Sequence, residues 1–333
     1  MPLDEYAWLG RSELLSFEEI ERLAAIFLGL GVEKIRLTGG EPLLRKNLEG
    51  LVSRLAALEG LKDLALTTNG AGLEQRAGAL RGAGLNRINI SLDSLRPDRF
   101  AIITQRGRLE DVLAGISAAK KVGLDPVKIN AVIQRGVNED EIIDLVEFAA
   151  AQGLGIRFIE YMDVGNANAW NLDKTVSEAE ILQKVRAHYR IPGGEGTQGS
   201  GRRDMLQATR QERERARAPA IDYSLVGAQG QRSGASVDLG VIASVTQPFC
   251  SSCSRARLTA DGKLVTCLFA GVGHDLKTPL REGASDAELR ARIVEIWNAR
   301  SDRFSEQRLG AIHDGKGYRP DDFRKIEMIT LGG

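Results

Sequence analysis

A chain of 333 residues has room for one large β/α barrel or two ordinary domains, and 43% hydrophobic with 27% charged residues is the balance of a soluble globular protein. Lys plus Arg and Asp plus Glu both total 45, so the zero net charge excludes a general attraction to nucleic acid or anionic membrane, and any anion site must be local. No apolar run reaches the ~20 residues of a membrane helix, and Met1-Pro2-Leu3-Asp4-Glu5 has neither the basic flank nor the apolar stretch of a secretion signal.

In chain order, Ser16-Phe17-Glu18-Glu19 matches a capping box, and Ile20, Leu23, Ala24 and Phe27 follow at helical spacing. The pattern predicts a helix to about Leu28, stopped near Gly29 and Gly31, with a strand over 34–38. Strands are then expected at 63–67, 87–91, 127–133 and 156–161, with helices over 48–58, 73–83, 109–122 and 139–151. Such alternation implies right-handed βαβ units, a parallel sheet, and functional residues at the carboxyl ends of the strands. Two stretches break the pattern. The chain opens on a loop and helix with no strand before them. From Pro192 to about Gly234, Gly, Gln, Ser and mixed charge replace hydrophobic period. This stretch reads as a mobile surface insertion whose core, about 196–217, is dispensable.

The three cysteines, Cys250, Cys253 and Cys267, lie within 18 residues. An odd, clustered set suits a metal site in a reducing compartment better than disulfides, which points to the cytoplasm. Thiolates suit zinc and iron–sulfur clusters. His274 could complete a Cys₃His zinc site, whereas three thiolates alone would leave one iron of a four-iron cluster open to a substrate. Both readings stand at this point. Arg255 and Arg257 flank Ala256 on an extended segment, so their planar forks point the same way and suit phosphate. Arg36-Leu37-Thr38-Gly39-Gly40-Glu41-Pro42, Leu66-Thr67-Thr68-Asn69-Gly70, Ser91-Leu92-Asp93-Ser94 and Glu160-Tyr161-Met162 are polar strand ends, and Lys128 and Asn130 share parity on the fourth strand. Together these five strands suggest a lined pocket, although Met162 by itself reads as core filler.

Gly39-Gly40-Glu41-Pro42, the Thr-Thr-Asn-Gly and Ser-Leu-Asp-Ser strand ends, Val127-Lys128-Ile129-Asn130, and the cysteine spacing with Arg255-Ala256-Arg257 together resemble the GTP 3′,8-cyclases of molybdenum-cofactor biosynthesis. These form the MoaA family of radical S-adenosylmethionine (SAM) enzymes. The terminal Gly332-Gly333 resembles that family's tail, and the likeness covers nearly the whole chain apart from about 193–234. It implies a partial parallel (β/α)6 TIM-like barrel over 1–192 without its first strand, the insertion at 193–234, and a C-terminal iron–sulfur and GTP-binding domain over 235–333. Carried over position by position, it implies that Gly40, Ser91 and Met162 bind SAM. Arg36, Thr67, Lys128, Arg255, Ala256 (through its backbone) and Arg257 would contact GTP. Cys250, Cys253 and Cys267 would hold a [4Fe–4S] cluster whose open iron meets the guanine.

The implied activity is that of a lyase. SAM is cleaved to a 5′-deoxyadenosyl radical that takes hydrogen from the ribose of GTP, giving (8S)-3′,8-cyclo-7,8-dihydroguanosine 5′-triphosphate. An electron donor is implied, and a homodimer is compatible with the family. One departure stands out: the family's C-x3-C-x2-C, which holds the SAM-cleaving [4Fe–4S] cluster, is absent, and Met1-Pro2 resembles the Met-Pro that follows it. The chain as it stands is therefore expected to bind one cluster, recognise GTP and leave SAM uncleaved until an upstream segment is restored. That segment would add the first strand, the cysteine loop and another GTP-contacting Arg. Two rival readings are a different radical SAM enzyme, against which Arg255, Arg257 and Lys128 argue, and a non-catalytic zinc-stabilised binding protein.

Overall fold

Ser16 starts the first helix as its sequence demands. Its Oγ accepts the Glu19 N–H at 3.1 Å, and the Glu19 carboxylate accepts the Ser16 N–H at 2.7 Å. The computed structural model describes residues 9–105, 107–164, 170–190, 220–227, 237–314 and Ile326. Within them, α1 (Phe17–Gly29) leads to β1 (Lys34–Leu37), α2 (Leu48–Ala56), β2 (Asp63–Thr68), α3 (Leu73–Gly82) and β3 (Arg87–Ser91). Then come α4 (Pro97–Thr104), α5 (Leu109–Lys121), β4 (Val127–Ile133), α6 (Ile142–Gln152) and β5 (Gly155–Glu160). Every strand and helix expected up to residue 161 is present. Helix α4 was not anticipated; Pro97 opens it at a position where no N–H is needed.

The sheet has eight strands in the order β1-β2-β3-β4-β5-β8-β7-β6, where β6 is Tyr189–Arg190, β7 Ile221–Gly227 and β8 Val237–Ile242. Strands β1 to β5 run parallel, β8 continues them beside β5, and β7 and β6 turn back antiparallel. The result is a partial β/α barrel with a hairpin on its last edge. Two boundaries differ from the sequence reading. The barrel does not stop at residue 192, because β8 supplies its sixth parallel strand. The irregular stretch also contains β7, held by pairing with β8 and by the Tyr223 hydroxyl donating to Glu178 Oε1 at 2.9 Å. The segment 196–217 and the tail Gly332-Gly333 lie outside the described residues.

Successive strand residues point to opposite faces. On one face, Leu64, Leu66, Ile88, Ile90, Ile129 and Phe158 are fully buried against the helices in the main core. The other face is polar. Its register pairs Arg36 with Ala65, Thr67 with Asn89, Asn89 with Lys128, and Asn130 with Arg157.

The C-terminal part contains β9 (Arg257–Leu258), β10 (Lys263–Val265), β11 (His274–Asp275), α8 (Lys277–Arg281), α9 (Asp286–Asn298) and α10 (Phe304–His313). Two clamps join it to the barrel. Helix α1 is the first: Ala24 packs into the main core, while Leu23 and Ile26 pack with Leu264, Leu280, Leu289 and Ile293. Arg281 donates to Glu19 Oε1 at 2.7 Å, and the Leu15 N–H donates to the Ala260 carbonyl at 2.8 Å. The second clamp gathers at the carboxyl ends of β5 and β8. Buried Glu160 accepts the N–H groups of Glu178, Val245 and Thr246 at 2.8–2.9 Å. Arg308 of α10 is ion-paired with Asp163, both fully buried, and donates to the Ser244 carbonyl at 2.6 Å.

Arg308→Met should cost about 3–5 kcal/mol of stability, because it takes the ion-pair partner away from a carboxylate that stays buried. Urea unfolding measures this. Restoring much of the loss with Asp163→Asn in the same chain would show that loss of the charge pairing, not of packing, is the cause; no loss in the single variant would refute the clamp.

Candidate functional site

The loop after β1 is shaped by its residues. Gly39 has φ 144°, outside the range comfortable for a side chain. Glu41 then braces the loop to the next strand end, accepting the Leu43 N–H at 3.0 Å, the Thr68 hydroxyl at 2.7 Å and the Asn69 N–H at 2.8 Å. Gly40 is exposed in this loop, Ser91 ends β3, and Met162 follows the end of β5. The Trp170 indole and Thr175 hydroxyl both donate to the Tyr161 carbonyl, at 2.9 and 3.0 Å, and hold that last strand end in place. Gly40, Ser91 and Met162 thus sit at the carboxyl ends of three strands of one parallel sheet.

The polar face below them carries an unmet demand for hydrogen bonds. Thr67 Oγ1, both amide atoms of Asn89, Asn130 Oδ1 and Arg157 Nε are buried without a partner. Buried polar atoms are nearly always paired, so a row of unpaired ones on one face fits a polar ligand. Charge makes that ligand an anion. Burial, with repulsion from Arg87, Arg157 and Arg255, pushes the Arg36 guanidinium down to about 10. The Arg36 side chain is nevertheless exposed on the edge strand β1, so the surrounding protein atoms and like charges, not sealing from solvent, account for the direction of its shift. Burial and Arg157 lower Lys128, although Asp222 and Asp238 oppose the shift; burial also lowers Arg157. Arg87 is neutralised by a bidentate pair with Asp63 at 2.6–3.0 Å. Among the described residues, no carboxylate forms an ion pair with Arg36, Lys128, Arg157, Arg255 or Arg257. Each of these charges would be stabilised by an incoming anion.

The cysteines lie at the other end of this cationic path. Cys250 opens a 3₁₀ turn (Cys250–Ser252) closed by the Cys253 N–H on the Cys250 carbonyl at 3.2 Å, and Cys267 follows β10. All three thiols are free and half-buried. Burial pushes Cys267 up to about 11, aided by Asp302 and the other two thiols and opposed by the Phe269 backbone N–H. Burial also works against Cys253 ionising, but the charge and hydrogen bonds of Arg255, with Arg300 behind it, outweigh it and the thiol is lowered. Arg255 lies over the Phe249 ring at 4.7 Å, and Arg300 donates to the Cys253 carbonyl at 2.5 Å. Arg257 is pushed down to about 10 by burial and by Arg255, while Cys267 and Cys253 draw it back. Ala256 is exposed between the two arginines.

Among the described residues, no three His, Cys, Asp or Glu side chains are arranged to hold a single metal ion. His274 is exposed on β11, opposite Leu264, which gives the Cys₃His zinc reading no geometric support. A four-iron cluster takes each thiolate on a different iron, so its ligands stand farther apart than those of one ion. The three neighbouring thiols are soft donors of the kind such a cluster takes, and Arg255 favours the thiolate at Cys253.

Arg36, Thr67 and Lys128 therefore share one face, and Arg36 lies near enough to Arg255 to feel its charge. The sequence reading missed Arg87, Asn89 and Arg157. Their signal was present: parallel strands are normally apolar on both faces, so polar residues at alternate positions mark a lined interior. A surface depression of about 420 Å³ beside Leu14, Phe17, Leu44 and Arg45 contains none of the expected site residues. Among the described residues, no helix is long and apolar enough to cross a membrane.

Comparison with known proteins gives the family. Residues 4–149 match the Radical SAM superfamily and residues 154–306 match Molybdenum Cofactor Synthesis C. A GTP 3′,8-cyclase of Acidothermus cellulolyticus is 44% identical over 98% of this chain and 89% of its own. One from Xanthomonas campestris pv. campestris is 42% identical over 99% and 87%, and GTP 3′,8-cyclase 1 of Mycobacterium tuberculosis is 42% identical over 100% and 88%. The solved structure of Streptococcus suis SuiB shares the fold, with a TM-score of 0.52 and 13% identity over 90% of this chain and 62% of that one. With such identity sustained along its length, and with both domains matched in order, this chain belongs to the GTP 3′,8-cyclase family of radical SAM proteins.

Proposed function

We propose that this chain acts as a GTP 3′,8-cyclase, taking GTP to (8S)-3′,8-cyclo-7,8-dihydroguanosine 5′-triphosphate in the first step of molybdenum-cofactor biosynthesis. The observation that carries the reading is the run of cations from Arg157 and Lys128 through Arg36 to Arg255 and Arg257, ending at the three cysteines. A nucleoside triphosphate has the matching form, several negative charges at one end and a flat base at the other. Arg36, Lys128, Arg255 and Arg257 bind and orient the phosphates, joined by Arg157. Thr67 and Asn89 offer hydrogen bonds from the sheet, and Ala256 contributes its backbone.

Cys250, Cys253 and Cys267 would hold a [4Fe–4S] cluster with one iron left for the guanine. Gly40, Ser91 and Met162 receive SAM at the strand ends, the glycine by letting the ligand approach the backbone. SAM held there would supply, on reduction by a donor through a second [4Fe–4S] cluster, the radical that takes hydrogen from the ribose. Cys250, Cys253 and Cys267 are all committed to the first cluster, so this second one needs ligands other than the three cysteines of this sequence. The protein's own task is to fix distances and exclude water from that reaction. Free thiols suit a reducing compartment, and we place the protein in the cytoplasm.

The reading is tested by anaerobic cluster reconstitution and calorimetry with GTP. Arg255→Ala with Arg257→Ala should weaken GTP binding by several kcal/mol, at roughly 1.5–3 kcal/mol for each charge-assisted contact, with iron content unchanged. Unaltered affinity in the double variant would remove the two arginines from the site; a wild-type chain that binds neither iron nor GTP would end the whole reading.

The cysteines give a second test, in reduced, metal-free protein. At pH 8 a thiol at about 11 is ionised to roughly one part in a thousand, while Cys253 lies below its ordinary value. Iodoacetamide should therefore modify Cys253 well before Cys267, and the lag of Cys267 should shrink as pH rises toward 11. Equal rates at pH 8, read by mass spectrometry, would contradict the environments described for the two thiols.

A further inference from the structure

Strand β8 lies between β5 and β7, and one register row runs Arg157, Gly240, Asp222 across the three strands. Gly240 is buried, and its backbone needs no left-handed conformation. What demands glycine there is space. A Cβ at residue 240 would stand 2.9 Å from Asp222 Oδ1, 3.0 Å from Arg157 Cγ and 3.3 Å from the Ala220 Cβ. The side chains of Arg157 and Asp222 lean over the glycine from opposite sides. Asp222 favours the charged forms of both Arg157 and Lys128. Among the described residues no ion pair closes between Asp222 and Arg157, and Arg157 Nε is buried without a partner. The carboxylate thus attracts the guanidinium without occupying its donors.

We propose that Gly240 and Asp222 are positioning residues for the phosphate-binding cations: the empty place at 240 lets Asp222 reach across the middle strand and hold the Arg157 fork toward the lumen. The inference rests on the GTP reading of this site and deepens it. A long side chain left unrestrained must be ordered when the ligand arrives, whereas one already drawn into place meets it at little further cost. A methyl group at 240 would displace both partners by a few tenths of an ångström or more, and binding through oriented charges is sensitive to shifts of that size.

The test compares GTP with guanosine by calorimetry on the cluster-loaded protein. Gly240→Ala should weaken GTP by about tenfold or more and leave guanosine within about twofold, since only the phosphates meet Arg157. Asp222→Asn should weaken GTP in the same direction. A site governed by net charge alone would do the opposite, because removing an anion would tighten binding to a triphosphate. Gly82→Ala, on α3 with open space around it, is the neutral control. If Gly240→Ala fails to fold, Asp222→Asn still decides, as that side chain is exposed. A folded Gly240→Ala variant with wild-type GTP affinity, a tighter Asp222→Asn, or equal losses for GTP and guanosine would each overturn the inference while the GTP reading stands. A wild-type protein that does not prefer GTP to guanosine would instead bring down that reading, and this inference with it.

Discussion

Cations gathered on one sheet face repel one another and lose hydration, and that electrostatic tension governs how this protein is built. Arg36, Lys128 and Arg157 each have their charged form disfavoured by burial and by a like charge nearby. A closed barrel would fill this interior with branched apolar side chains. Here the inward positions carry guanidinium, ammonium, amide and hydroxyl groups, several without partners. The stability for such an arrangement comes from the other face, where strand residues of opposite parity are sealed under the helices. Asp63 on Arg87, and the attraction of Asp222 and Asp238, relieve part of the repulsion and leave the rest for a ligand.

The same tension explains the attachment of the C-terminal part. Arg255 and Arg257 add two more cations to the mouth of the barrel, so charge alone would push the two parts away from each other. Helix α1 opposes this with apolar contact on two sides, entering both cores. Helix α10 opposes it with the buried Arg308–Asp163 pair between the ends of β5 and β8. Arg308 also lies over the Phe269 ring at 4.9 Å, and the Phe269 backbone N–H meets the Cys267 sulfur. The clamp on the strand ends is therefore continuous with the wall of the cysteine site. One set of contacts sets both the barrel mouth and the place of the thiols.

Much of this was legible in the sequence because it is local. The Ser16 capping box, the alternating strands and helices up to residue 161, and the polar strand ends follow from spacing within a few residues. The short Cys250–Cys253 turn and the two arginines beyond it have the same local character. These features picked out the Arg255 and Arg257 pair and the strand ends that carry Arg36, Thr67 and Lys128, while the roles of those three residues came from the family resemblance. They also hinted at a lined interior, since Lys128 and Asn130 share parity.

What the sequence by itself determined, then, was the type of each element and the chemistry each carries. The tertiary structure alone decided which elements meet. Strand β7 sits in a stretch whose composition hides it, and it becomes a strand because β8 offers an edge to pair with. Arg157, Gly240 and Asp222 are far apart in the chain and share a row only through strand order and register, which no local pattern encodes. Arg36 meets Arg255 because α1 and α10 hold the C-terminal part over the barrel mouth. Local propensity acts over a few residues, whereas charge and close packing act through space, so the site could be named from the chain but assembled only by the fold.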